Sequence, residues 1–203
     1  MKYNFEEAPD RVNTNCLEWD KREEVFGKAD VIPMWIADMD FRTPPFIIEA
    51  LRERLNHEIL GYSYRPDSYF KAFMNWVSTL HGWDIRQEWI EFSPGVVPAL
   101  NVCTLAYTSP NDEIIIQPPV YPPFYGAAND HGRRLVFNQL LETEKGYQMD
   151  FEGLRRIITP ATRMLILSNP HNPVGRVWSR DELNELAEIC HEKGIIILSD
   201  AIH

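Results

Sequence analysis

An α/β fold with a mainly parallel central sheet is predicted from three observations. The runs Glu113-Ile-Ile-Ile-Gln117, Arg163-Met-Leu-Ile-Leu167 and Ile195-Ile-Ile-Leu198 are apolar without alternation, as strands covered on both faces are. Between the last two lies an amphipathic helical pattern, so strand, helix and strand form one crossover unit. Each run also ends in a polar, proline-rich or acidic stretch: Pro118-Pro-Val-Tyr121-Pro-Pro123, Ser168-Asn-Pro-His-Asn172-Pro-Val-Gly175 and Ser199-Asp200. In an open parallel sheet, ligands sit at these carboxyl ends.

Composition bounds the functional classes. Of 203 residues 44% are hydrophobic and 12% aromatic, enough to bury a sizeable core. Twenty Lys plus Arg against thirty Asp plus Glu give a net charge of −10, and no basic run interrupts that balance. Nucleic-acid and anionic-membrane surfaces are therefore not expected. Cys16, Cys103 and Cys190 are odd in number and widely spaced, which suits reduced thiols and a cytoplasmic setting. The first residues carry no signal-peptide apolar stretch, and no window approaches the ~20 apolar residues of a membrane span.

Along the chain, residues 1–45 mix charges, aromatics and prolines without sustained periodicity and read as an N-terminal arm and small-domain segment. Within them Val31–Ala37 reads as a short strand, and Asp38-Met-Asp40 with Thr43-Pro-Pro45 as turn chemistry. Residues 46–203 read as a larger domain. A helix is predicted from Pro45 to Leu60 by apolar positions 47, 50, 51, 55 and 59, with Gly61 as its stop. The loop Tyr62-Ser-Tyr64-Arg-Pro66 could bond a phosphate or pack at an interface. A second amphipathic helix, Tyr69–His81, ends at Gly82.

Trp89–Phe92 reads as a short strand, Ser93-Pro-Gly95 as a turn, and Val96–Tyr107 as a helix with Pro98 in its first turn. A glycine turn opening a helix is a ready anion site, since free N–H groups and the positive dipole end converge there. The spacing matches no dinucleotide or P-loop fingerprint. Four prolines around Tyr121 hold that ring on a stiff loop, in a ligand-stacking or a packing role. Arg134–Phe137 is a further strand, Gly146–Asp150 a turn, and Phe151–Ile158 a helix. Ser179 and Glu182 form a capping-box pattern; Leu183, Leu186, Ala187 and Cys190 give an apolar stripe, and Lys193-Gly194 a stop. The six histidines show no metal-ligand spacing with cysteine or acid, so no metal is expected, and solvated or capping roles fit most of them.

Four elements thus aim an anion site, a stiff aromatic, an amide and a carboxylate at one sheet edge. That set suits a flat, phosphorylated heteroaromatic cofactor, because a carboxylate facing a pyridine nitrogen keeps it protonated and an amide can fix a phenolic oxygen. On these residues the chain resembles the fold-type I pyridoxal-phosphate enzymes of the aminotransferase class I/II superfamily, and within it the MalY/PatB-like cystathionine β-lyase branch. The resemblance implies a three-layer sandwich and assigns roles residue by residue. Asn169-Pro-His-Asn172-Pro-Val-Gly175 is similar to the family's asparagine loop, so Asn172 is expected on the ring's phenolic oxygen. Asp200 is expected on the pyridine nitrogen, and His203 falls where many aminotransferases carry a tyrosine touching the phenolic oxygen. Gly95, Val96 and Val97 match the phosphate turn, Tyr121 the ring-stacking position, and Tyr62 a tyrosine that reaches the neighbouring subunit's phosphate in family homodimers. Trp35–Phe41 resembles the segment beside the substrate carboxylate, which carries Ala37 into the substrate site.

The chain departs from the pattern at Ala201, where the lyase branch usually has glutamate. The family's Schiff-base lysine lies a few dozen residues beyond the aspartate, and none of Lys2, Lys21, Lys28, Lys71, Lys145 or Lys193 sits at a strand end. The expectation is a first half of a longer enzyme, inactive by itself, with the sheet and small domain incomplete. The implied activity is pyridoxal 5'-phosphate-dependent carbon–sulfur β-lysis of cystathionine or a similar cysteine conjugate, giving thiol, pyruvate and ammonia. Transamination on the same scaffold is the alternative, and a non-catalytic binding or regulatory protein a second one.

Overall fold

The computed structural model describes residues 3–203. Its contacts divide the chain into two compact units, one ending at Tyr69 and the other Phe70–His203, whereas the sequence reading set its division at 45/46.

The first unit holds two short helices, α1 (Leu17–Asp20) and α2 (Arg22–Phe26), and the longer α3 (Pro45–Leu55). Its organising residue is Arg11. The guanidinium donates to Asp38 at 2.6 Å and Asp40 at 2.9 Å and lies 3.6 Å from buried Glu18, while Trp19 Nε1 also donates to Asp40. Asp38 and Asp40 therefore anchor a cation, a role beyond the turn chemistry expected of them. Cys16, Glu18 and Asp38 bring possible metal ligands within 4.8 Å of one another, but the Arg11 guanidinium already pairs with both carboxylates.

The expected strand at Val31–Ala37 is irregular. It is held by side chains, Arg22 donating to the Val31 carbonyl and Trp35 Nε1 to that of Glu18, and it has no ladder. Helix α3 stops at Leu55, five residues short of the expected end. His57 and Glu58 turn back onto the carbonyls of Arg54 and Leu55, and Glu58, not Gly61, takes the left-handed conformation at φ 58°.

Helix α4 (Asp67–His81) begins two residues before its expected start and ends at Gly82, φ 60°. Trp89–Phe92 is not a strand: Gln87–Trp89 forms a 3₁₀ turn and the following residues have no partner strand among the described residues, which a short apolar and aromatic run alone cannot supply. Then follow α5 (Val96–Tyr107), β1 (Glu113–Ile116), α6 (Pro123–Asn129) and β2 (Arg134–Phe137). After these come β3 (Leu141–Thr143), β4 (Gly146–Gln148), α7 (Phe151–Ile157), β5 (Thr162–Ser168), α8 (Arg180–Lys193) and β6 (Ile196–Asp200). Residues expected only as a turn at 146–150 thus supply β4, antiparallel to β3. The helix α6 was not anticipated; Pro123 starts it at a position where a missing N–H costs nothing.

The main sheet has the order β2-β1-β5-β6, with every pair parallel. Side chains alternate across it. Ile114, Ile116, Met164 and Ile166 pack with Leu100 of α5 and Phe124, Ala127 and Ala128 of α6. Ile115, Leu165 and Leu167 pack on the other face with Leu154 of α7 and Leu186, Ile189 and Cys190 of α8. This is the expected three-layer sandwich. Burying each such aliphatic side chain contributes roughly 1.5–3 kcal/mol, which is why a run such as Ile114–Ile116, fully buried on both faces, fixes the middle of the sheet. The chain leaves β1 outward to β2 and leaves β5 outward to β6, so connectivity reverses between β1 and β5. Ligand crevices form outside the carboxyl ends at such a point.

Candidate active site

Three strand ends build the site. At the end of β5 the chain turns through Ser168–Gly175, a loop whose backbone is tied at several points. Asn172 N–H donates to Ser168 Oγ at 3.1 Å, His171 N–H to the Arg176 carbonyl at 2.7 Å, and Gly175 N–H to the His171 carbonyl at 2.8 Å. Gly175 sits at φ 69°, a left-handed position that favours glycine. Trp178 closes the loop, its N–H donating to Asn169 Oδ1 and its indole N–H to the Ser168 carbonyl. Arg176 lies over the Trp178 ring at 4.7 Å and donates to Glu182 and to the Tyr147 carbonyl. The loop is thereby tethered to the start of α8, whose capping box Ser179/Glu182 forms as the spacing predicts.

The neighbouring strand brings the carboxylate. Ser168 pairs with Asp200 in the β5–β6 register, and Asn169 N–H donates to the Asp200 carbonyl at 3.0 Å. Asp200 is half-buried, and one of its oxygens accepts from Ile202 N–H. The Asn172 amide donates to His203 Nε2 at 3.3 Å, so these two predicted residues meet directly.

The β1 end is set by a buried polar chain. Gln117 Nε2 donates to Asn138 Oδ1 at 3.0 Å, and Asn138 donates to the Asp150 carbonyl at 2.9 Å. From there the chain passes to Tyr121, half-buried, its ring edge-on to Phe124 at 6.1 Å. Tyr121, Val96 at the start of α5, and Leu198 of β6 pack against one and the same core cluster. Gly95 caps α5 in extended backbone, with its carbonyl accepting from Ser93 Oγ. The N–H groups of Val96 and Val97 open the helix, where no carbonyl of the helix can receive them.

Seven of the nine predicted residues, Gly95, Val96, Val97, Tyr121, Asn172, Asp200 and His203, thus lie in the sheet-containing unit. Ala37 and Tyr62 belong to the other. Ala37 lines a cleft of about 700 Å³ with Phe5, Phe41, Arg42 and Ile47, and Tyr62 is fully exposed. Among the described residues, Lys21 lies between α1 and α2, Lys28 in the loop after α2, Lys71 in α4, Lys145 in the β3–β4 turn and Lys193 at the end of α8, so none directly follows a strand of the main sheet; Lys2 lies outside the described residues.

His171 departs from expectation. It is 1% exposed rather than solvated or capping, stands edge-on to Trp178 at 5.4 Å, and donates from Nε2 to the Pro119 carbonyl at 2.9 Å. Burial pushes its pKa below the ordinary histidine value, with the carbonyls of Pro119, Ser168 and Gln117 opposing that shift in part. Burial thus favours the neutral form of the ring. The one local signal was its place between two Asn-Pro pairs, which marks a rigid loop without saying which way the ring points.

The donor set has a definite chemistry: free N–H groups at a helix start, an aromatic face, an amide and a carboxylate, held by secondary structure on one side of a switch point. It fits a flat anionic ring compound carrying a phosphate and a basic ring nitrogen.

Known proteins agree with this architecture. A sequence model described as aminotransferase class I and II matches residues 29–203. Cystathionine beta-lyase PatB of Bacillus subtilis (strain 168) is 48% identical over 202 residues, covering 98% of this chain and 52% of its own. Cystalysin from Treponema denticola, whose crystal structure contains a pyridoxal 5'-phosphate cofactor, superposes with TM-score 0.93 at 36% identity, over 100% of this chain and 52% of that one. The PLP-bound C-S lyase from Staphylococcus hominis gives TM-score 0.89 at 37% identity, over 99% and 51%. The chain spans about half the length of the relatives it matches. With the parallel three-layer sheet and a match running from residue 29 to residue 203, the chain belongs to the aminotransferase class I and II family.

Proposed function

We propose that the full-length protein is a pyridoxal 5'-phosphate-dependent carbon–sulfur β-lyase acting on cystathionine or a similar cysteine S-conjugate. The observation that carries this reading is the pairing of Ser168 with Asp200, which sets the Asn172 loop and the Asp200 carboxylate on adjacent parallel strand ends. The likeness to a cystathionine β-lyase and to two pyridoxal-phosphate-bound structures, one of them a C–S lyase, supports the choice of cofactor and reaction.

In this reading Gly95, Val96 and Val97 hold the phosphate through backbone N–H groups, Tyr121 offers its ring face, and Asn172 donates to the phenolic oxygen. His203 orients the Asn172 amide by accepting from it. Asp200 holds the proton on the pyridine nitrogen. When bound, the cofactor supplies an electron sink for the charge left at the substrate's Cα after proton loss. Ala37 stands beside the substrate carboxylate. None of these 203 residues is assigned as the base that takes the Cα proton. We further propose a cytoplasmic homodimer in which Tyr62 reaches the partner's phosphate site, a role that suits its full exposure here. No helix among the described residues is long and apolar enough to cross a membrane.

The test is full-length protein with cystathionine. Cystathionine plus water should give homocysteine, pyruvate and ammonia in equal amounts. Keto acid without thiol or ammonia would assign transamination, and absence of both turnover and cofactor uptake would leave a non-catalytic binding protein.

A further inference from the structure

Among the described residues, His171 is a buried titratable group at the strand ends to which the proposed chemistry gives no task. Its ring spans the switch point. The imidazole belongs to the β5 loop, next to Asn172, yet its Nε2–H donates to the carbonyl of Pro119, a residue 52 positions earlier at the end of β1 and two before Tyr121. Trp178 backs the ring edge-on, and Trp178 is itself fixed by the Ser168 carbonyl, so the imidazole has a firm support. Nδ1 makes no hydrogen bond among the described residues, and the carbonyls of Ser168 and Gln117 are the other backbone acceptors that act on the ring.

Pro119 is followed by Val120 and Tyr121, with Pro122 and Pro123 after them. Only Val120 separates the Pro119 carbonyl from Tyr121, and Pro122 and Pro123 stiffen the chain beyond that ring, so the carbonyl is a near anchor for it. The bond thus ties the segment carrying Tyr121 to the loop carrying Asn172, beside the Leu140 N–H bond to the Pro118 carbonyl and the core packing of Val120.

We propose that His171 is a positioning residue that locks the Tyr121 loop to the Asn172 loop through the Pro119 carbonyl, setting the gap between the stacking ring and the amide. The inference rests on the cofactor-site reading for what that gap receives, and the coupling of the two loops can be measured without it.

The experiment uses the full-length protein. His171→Phe keeps a ring against Trp178 and removes the donor; His171→Gln restores an N–H of similar reach. Amide exchange is followed without added cofactor at Val120, Tyr121 and Phe124, the amides of the proline-rich segment, with β4 and α7 as internal controls. Loss of one buried hydrogen bond is expected to speed exchange there by about 2- to 10-fold in His171→Phe. His171→Gln should return it near the wild-type rate, with the controls unchanged. Should His171→Phe not fold, His171→Met against His171→Gln makes the same comparison.

Cofactor affinity supplies the second readout. His171→Phe should weaken pyridoxal-phosphate binding by about 2- to 10-fold, and that loss should vanish in a Tyr121→Ala background, because the coupling runs through Tyr121. Equal exchange in all variants, equal exchange in Phe and Gln variants, or an undiminished loss in the Tyr121→Ala background would each overturn the proposal. Failure of the wild type to take up cofactor would instead count against the function reading and leave the exchange comparison standing.

Discussion

The side-chain amide of Asn172 and Nε2 of His203 lie 3.3 Å apart, joining the loop after β5 to the segment after β6. The contact orients the amide while leaving its oxygen and its second N–H for other partners. In the full-length protein Asn172→Ala should weaken retention of pyridoxal phosphate by about 1–3 kcal/mol, the cost of losing a hydrogen bond to an ionised group. His203→Ala, which removes only the orienting acceptor, should cost less than half of that in an equilibrium titration. A larger loss for His203 than for Asn172 would reverse the assigned order.

Asp200 is expected to act on the reaction more than on binding. Asp200→Ala should lower kcat by about 10²–10⁴-fold, the range for losing a positioned proton-holding group, while cofactor absorbance is still retained. Near-normal turnover in that variant would refute the role.

Glu113 opens β1 and is held by the hydroxyls of Thr159 and Thr162 and by Arg134. The Thr159 hydroxyl first, then that of Thr162 and the Arg134 charge, keep its carboxyl below the ordinary value of 4.5, against the opposing effect of burial. The unfolded chain therefore takes up this proton before the folded one. The stabilisation is fully present above that value and is lost as pH falls through the lower folded value. Denaturant titrations between about pH 5 and 3 should show a shallower acid loss in Glu113→Gln than in wild type; identical slopes would contradict this account.

The three thiols should differ in reactivity. Burial pushes the Cys190 thiol up to about 11, whereas Cys16 and Cys103 are partly accessible. Since the thiolate is the reacting form, an aromatic disulfide reagent at about pH 8 should label Cys16 and Cys103 in the native protein and reach Cys190 only on unfolding. Mass mapping of the labelled peptides checks the order.

Elements governed by neighbours within one helical turn, or by a run of one residue class, were legible from the sequence. Ser179 and Glu182 form their reciprocal cap, Gly194 takes the left-handed stop at φ 66°, and the isoleucines of β1 fill both faces of the sheet. Misreadings fall where a local pattern needed a distant partner or had a competitor. Trp89–Phe92 has the apolar and aromatic residues of a strand but no strand beside it among the described residues, and Gly146–Gln148 pairs with Leu141–Thr143 through a turn whose residues look like any loop. Gly61 looked like the stop of α3, yet the backbone had already turned at Glu58.

For the site, the sequence by itself determined which chemical groups stand at the strand ends, because apolar runs fix where strands stop and the residues just beyond them follow. Asn172, Asp200 and Tyr121 were placed in this way, while the Gly95 turn follows from the helix pattern that begins at Val96. Only the tertiary structure decided how those ends are held to one another: Arg11 gathering Asp38 and Asp40 from 27 and 29 residues away, and His171 reaching Pro119 across 52. The reason is physical. Capping and periodicity are satisfied within a few residues, while a buried hydrogen bond between two loops exists only after the sheet has brought its strands together.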